Sequence, residues 1–166
     1  MSWTWRLRSL TAALLLVALP ALAEADPLPP PVSPACVSSA FGARLAEGPK
    51  ASRFHTGIDL PAPAGASVRA VAAGRVVRVH RGGARGLEVE LRHASGLITR
   101  YAHLGAIAAP LIDAMRAGKR DVAQGQMLGR VGRTGVTYGT HVHLEVVVNG
   151  APVDPAPYFA LRPCKS

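Results

Sequence analysis

The sequence predicts a mainly β fold, an antiparallel sheet with short helices and loops. Two observations predict it. Gly (17) and Pro (14) are abundant and aromatic residues make up only 5%, a balance that favours many turns and short strands over long helices. Short runs rich in Val, Leu and Ile, partly alternating with polar residues, recur between glycines. With 166 residues, 49% hydrophobic and 17% charged, the chain is long enough for one domain with a real core and too apolar to be disordered.

Taken in order, the chain opens with Arg6 and Arg8, followed by an apolar run from Leu10 to Ala23. The run is shorter than the roughly 20 residues of a membrane span. The basic flank, the apolar segment and the small-x-small ends Ala21-Leu22-Ala23 or Ala23-Glu24-Ala25 predict a secretory signal peptide over 1–25, with no membrane anchor left after cleavage. Residues 26–35 hold the Pro-rich stretch Asp26-Pro-Leu-Pro-Pro-Pro-Val-Ser-Pro34 and are expected to form an extended leader, with the folded part starting near Cys36. Strands are expected at Ser67–Ala72, Arg75–His80, Leu87–Arg92 and Leu97–Ala102, one or two helical turns within Ile107–Arg116, and strands again at Met127–Val131 and His141–Val148.

Two cysteines allow one intramolecular bridge, Cys36 to Cys164, tying the start of the domain to its end. An exported chain favours the bridge over two free thiols.

Of the six histidines, four fall in suggestive contexts. His141-Val-His143 heads a strand, and residues two apart share a face. His141, His143 and Glu145 therefore point one way, while Val142, Leu144 and Val146 point the other. In His55-Thr-Gly-Ile-Asp59 the Gly and the following prolines disfavour helix, so a turn entering a strand is expected, with Gly57 letting both side chains face one ion. Two imidazoles and a carboxylate fill three positions of a tetrahedral zinc and leave the fourth for water, the ligand count of a catalytic site. His103 lies at the end of a strand in Tyr101-Ala-His-Leu104. His80 and His93 sit in Arg-rich turns and are read as solvated surface.

The motifs, in chain order, resemble the lysostaphin-like, or LytM-type, zinc endopeptidases that cut peptidoglycan. Ser39-Ala-Phe-Gly-Ala-Arg44 resembles the family's opening Phe-Gly-x-Arg, and His55-Thr-Gly-Ile-Asp59 its His-x-Gly-x-Asp. Ala70-Val-Ala-Ala-Gly-Arg-Val76, Tyr101-Ala-His-Leu104, Gln124-Gly-Gln-Met-Leu-Gly-Arg-Val-Gly-Arg-Thr-Gly135 and Thr140-His-Val-His-Leu-Glu145 follow. The likeness runs over roughly residues 36 to 155. It implies a half-barrel-like peptidase core over 36–166 and one zinc per chain on His55, Asp59 and His143. His103 and His141 would act on the zinc-activated water or on the oxyanion formed when it attacks the scissile carbonyl. Glu145, on the strand face of His141 and His143, would either orient one of those two histidines or pair with an arginine. Ala106–Arg120 is longer than the family's usual connection and would shape substrate choice or cover a sheet edge.

The export signal predicts a periplasmic or secreted protein, a monomer is expected, and the resemblance implies action on peptidoglycan stem peptides and cross-bridges. Its alternative is a non-catalytic relative that activates another wall hydrolase, a role expected to go with substituted site residues. All five site residues are present. A biotinyl or lipoyl carrier lacks its hairpin lysine here. The net charge of +9 suits an anionic partner, but few aromatics leave no stacking platform for nucleic acid.

Overall fold

The computed structural model describes residues 26–45, 50 and 52–165. The expected signal peptide lies outside them. The elements are β1 (Gly42–Ala43), β2 (Phe54–His55), β3 (Ile58–Pro61), β4 (Ser67–Arg69), β5 (Gly74–Gly82), β6 (Gly86–Arg92), β7 (Ile98–Ile107), α1 (Ala109–Arg116), β8 (Asp121–Val122), β9 (Met127–Val131), β10 (His141–Val148) and β11 (Ala151–Val153). A 3-10 turn follows at Ala156–Tyr158. The fold is mainly β, as expected, and every named strand pairing is antiparallel.

The spine of the main sheet runs β11-β10-β7-β6-β5-β8. β7 pairs with β6 along one edge. Along the other it pairs first with β10, over Ile98–Ala102, then with β9, over Leu104–Ile107. β10 is likewise shared: β3 pairs with its first half and β11 with its second. Alternation then sorts the side chains. Val142, Leu144 and Val146 of β10, Val89 and Leu91 of β6, and Tyr101 of β7 are fully buried in the core. The intervening residues of these strands, including Arg100, Glu90 and Glu145, lie on the opposite face, paired across neighbouring strands.

The segment 26–35, expected as a leader ahead of the fold, packs against it. Val32 is part of the core, Leu28 N–H donates to Tyr158 O, and Arg69 N–H to Pro31 O. Its prolines fix an extended path that needs few backbone donors, so apolar residues between them can dock on the sheet. Cys36 and Cys164 are bridged across a sequence separation of 128. A loop of that length gives about 4–5 kcal/mol by chain-entropy reasoning. Reduction, or Cys36→Ser, is expected to lower the melting temperature by about 10 °C or more while turnover per folded molecule stays near wild type. An unchanged melting curve would remove the bridge from the stability account.

The longer connection after β7 forms α1, whose Leu111 is buried in the core while Ala108 N–H donates to Leu128 O. The chain then returns as β8 on the outer edge of β5. None of its residues lines the cleft described below. Among the described residues, no helix is long and apolar enough to cross a membrane.

His93 corrects the sequence reading. It is 8% exposed, with Nδ1–H donating to Ala73 O and Nε2 2.8 Å from Thr99 Oγ1, which lies 3.0 Å from Tyr101 Oη. A polar chain through the core satisfies both ring nitrogens, and an Arg-rich neighbourhood in sequence gives no sign of it.

Candidate metal centre and catalytic cleft

Strand register builds the site. β3 and β10 pair with His143 directly opposite Asp59, which places both side chains on one sheet face. His55 ends β2 and reaches the same point through the turn Thr56-Gly57. That turn crosses β10 so closely that a Cβ on Gly57 would collide with Leu144 O and press on His143 Cε1. Only glycine fits this close approach, a packing reason for Gly57 beyond the turn expected of it.

Three atoms meet there. His55 Nε2 lies 3.1 Å from Asp59 Oδ1 and 3.0 Å from His143 Nδ1, and His143 Nδ1 lies 2.9 Å from Asp59 Oδ1. All three residues are buried. The outer nitrogens are committed elsewhere: His55 Nδ1 is 2.8 Å from Ala40 O, and His143 Nε2 is 3.1 Å from Glu145 Oε1. Donation outward to these oxygens turns a lone pair of each neutral imidazole inward. Three acceptors then face one another at hydrogen-bond distance, an arrangement that needs a cation between them. The donor set of two imidazoles and one carboxylate suits zinc.

The electrostatics agree. Burial opposes the charge on Asp59, yet contacts with His143 and His55 outweigh it and hold the carboxyl well below the usual range. Burial likewise works against protonated His143, but hydrogen bonds to Asp59 and Glu145 raise its pKa overall.

Glu145 is fully buried beneath the centre. It accepts hydrogen bonds from Thr56 Oγ1, from Arg85 Nε (3.0 Å) and Nη2 (2.7 Å), and from Arg100 Nη1 (3.1 Å), besides contacting His143. The two roles left open for it, orienting a histidine and pairing with arginine, are both realised. Arg85 and Arg100 carried no sequence signal, and Thr56 lies at a variable position of a quoted motif. Arg44, inside a quoted motif, donates from Nη1 to Ser39 Oγ (2.6 Å) and lies 3.6 Å from Asp59 Oδ2.

His103 owes its place to a β-bulge. Between the pairs Leu87↔Leu104 and Val89↔Tyr101, β7 carries one residue more than β6. Strict alternation from Tyr101 would send residue 103 into the core. Instead His103 adopts φ 60, Leu104 takes the core position, and the imidazole swings to the site face. Its Nδ1–H donates to Thr134 O (2.8 Å), leaving Nε2 as an acceptor. Thr134 Oγ1 donates to Leu104 O and accepts from Leu87 N–H, so one residue ties together β6, β7 and the histidine. The His103 ring centroid is 5.0 Å from that of His141 and 5.8 Å from that of His143. Burial pushes the His103 pKa down to about 4, so the ring is neutral near pH 7. His141 Nε2 lies 3.4 Å from Asp59 Oδ1. The sequence-selected residues His55, Asp59, His103, His141 and His143 thus line one cleft, together with Arg44, Arg85, Phe54 and Tyr138.

The signature of Peptidase family M23 matches residues 53–155. The chain is 41% identical over 119 residues to the DD-carboxypeptidase/endopeptidase Mpg of Neisseria meningitidis, covering 72% of this chain and 26% of that protein. It is 34% identical over 100 residues to the peptidoglycan DD-endopeptidase ShyA of Vibrio cholerae, covering 60% of this chain and 22% of that protein. It therefore spans about a quarter of the length of these relatives. A crystal structure of a zinc-containing peptidase from Vibrio cholerae superposes with a TM-score of 0.63 at 29% identity, covering 81% of this chain and 40% of that one. With its ordered motifs, its fold and its cleft in agreement with that signature, the chain belongs to peptidase family M23.

Proposed function

We propose that the domain is a zinc-dependent endopeptidase that hydrolyses peptide cross-links of bacterial peptidoglycan. The observation that carries this reading is the convergence of His55 Nε2, Asp59 Oδ1 and His143 Nδ1 within 3.1 Å, each imidazole fixed from behind. These three residues would hold the zinc, one per chain. A zinc ion held there supplies a Lewis acid that polarises the scissile carbonyl and makes water nucleophilic near neutral pH. The chain's own groups do the rest. His103 Nε2, unprotonated and facing the cleft, accepts a proton from the attacking water. His141, beside it on the same face, orients that water or donates to the oxyanion as it forms. Glu145 and Ala40 O fix the ring orientations of His143 and His55.

The relatives support a peptidoglycan substrate, and the Cys36–Cys164 bridge supports an exported setting, periplasmic or extracellular. Purified sacculi test the reading. Zinc-loaded protein is expected to release peptides with new termini at cross-links, identified by mass, and chelator is expected to stop it. Zinc-loaded protein that leaves diaminopimelate-type and glycine-bridged sacculi equally intact would overturn the assignment.

A further inference from the structure

Resting on that reading, the cleft carries a second recognition element. Arg85 precedes β6 and lines the cleft with its side chain 38% exposed. One edge of its guanidinium, Nε and Nη2, is fastened to Glu145 Oε1 at 3.0 and 2.7 Å. Behind it lies Glu88 on β6, 4% exposed, whose Oε2 is 3.9 Å from Arg85 Nε and makes no hydrogen bond among the described residues. Glu88 thus attracts Arg85 without taking up one of its donors.

Glu145 does not depend on Arg85 for a counter-charge. Arg100 Nη1 already binds its Oε2 at 3.1 Å, and His143 binds its Oε1. Arg100 in turn is anchored by Glu90 at 2.7 Å. Three arginines, Arg78, Arg85 and Arg100, face three buried carboxylates, Glu88, Glu90 and Glu145. Of these arginines, only Arg85 lines the cleft. Its Nη1 is not used in the grip on Glu145. A guanidinium held along one edge, with a donor that makes no hydrogen bond among the described residues beside a peptidase centre, is pre-organised for an anionic oxygen of a bound peptide.

We propose that Arg85 forms a carboxylate-binding subsite, pairing with a free carboxylate on a residue that flanks the scissile bond. The domain then prefers cross-linked peptides that keep such a carboxylate over amidated or all-glycine ones.

The test uses zinc-loaded full chain and two synthetic stem-peptide dimers, alike except for carboxylate or carboxamide at the flanking residue. Wild type is expected to favour the carboxylate by about tenfold in kcat/KM, chiefly through KM. In Arg85→Gln the ratio is expected to fall to about one at unchanged zinc content, and Arg85→Lys to keep part of it, since lysine retains the charge without the fork. Loosening of Glu145 lowers both rates alike, so the ratio isolates the subsite. A wild-type ratio near one, an Arg85→Gln ratio equal to wild type, or a collapse found only in Arg44→Gln would each overturn the proposal. Should wild type hydrolyse neither dimer, the hydrolase reading fails by itself. Calorimetric binding of the same pair still decides the subsite: tighter binding of the carboxylate form, lost in Arg85→Gln, upholds it, and equal binding overturns it.

Discussion

His143→Ala and Asp59→Ala are each expected to strip zinc from the protein and bring hydrolysis to background together. In the structure each supplies one of three converging atoms, and no other His, Cys, Asp or Glu joins the group among the described residues. Losing one donor of three leaves a two-coordinate site with more room for water. Loss of an outer partner alone commonly costs about 10–100-fold in metal affinity, so an inner donor should exceed that. The two variants differ in a second respect. Asp59→Ala removes the negative charge that favours a cation, and leaves only His55 Nε2 and His143 Nδ1, 3.0 Å apart, to hold it. His143→Ala also removes the contact that helps hold Glu145 ionised, leaving Thr56, Arg85 and Arg100 to satisfy it. Metal analysis after reconstitution, alongside hydrolysis rate, checks both. Near one equivalent of zinc in either variant would break the proposed ligand set.

The parts of this site legible in the sequence are those governed by local periodicity. The shared face of His141, His143 and Glu145 follows from a strand's two-residue repeat, and β10 runs over the residues expected. β9 does too. Where pairing or packing decides, the sequence is silent. β1, β2 and β8 hold two residues each, too few for any period to show. That Asp59 stands opposite His143 is a fact of register between segments far apart in the chain. His103 is the clearest case: alternation would have buried it beside Tyr101, and the bulge at φ 60 reverses its direction. Arg85 shows the same limit from the other side. In sequence it is one of many arginines, and only the folded neighbours Glu145 and Glu88 single it out.

His103→Ala and His141→Ala are expected to keep zinc and still lose activity by about 100-fold or more, the usual scale for an acid–base or oxyanion partner. The contrast with His143→Ala is sharp because His141 and His143 are two residues apart on one strand face. Position explains the difference. The three inner atoms lie within 3.1 Å of one another, whereas His141 Nε2 lies 3.4 Å from Asp59 Oδ1 and is absent from that convergent set. His103 is tied by Nδ1 to Thr134 O and packs its ring edge-on to His141 at 5.0 Å. Both rings therefore border the cleft next to the centre. Three protein donors and one water complete a tetrahedral zinc, so a fourth imidazole can bind only by displacing the water that hydrolysis needs. His103→Gln probes geometry further: an amide can still hydrogen-bond water but cannot take its proton, so the rate should stay near that of the alanine variant. Zinc content and turnover measured side by side on these variants decide the matter. A His141→Ala protein that loses zinc as readily as His143→Ala would move His141 into the ligand set, and one with full zinc and full activity would remove it from the chemistry.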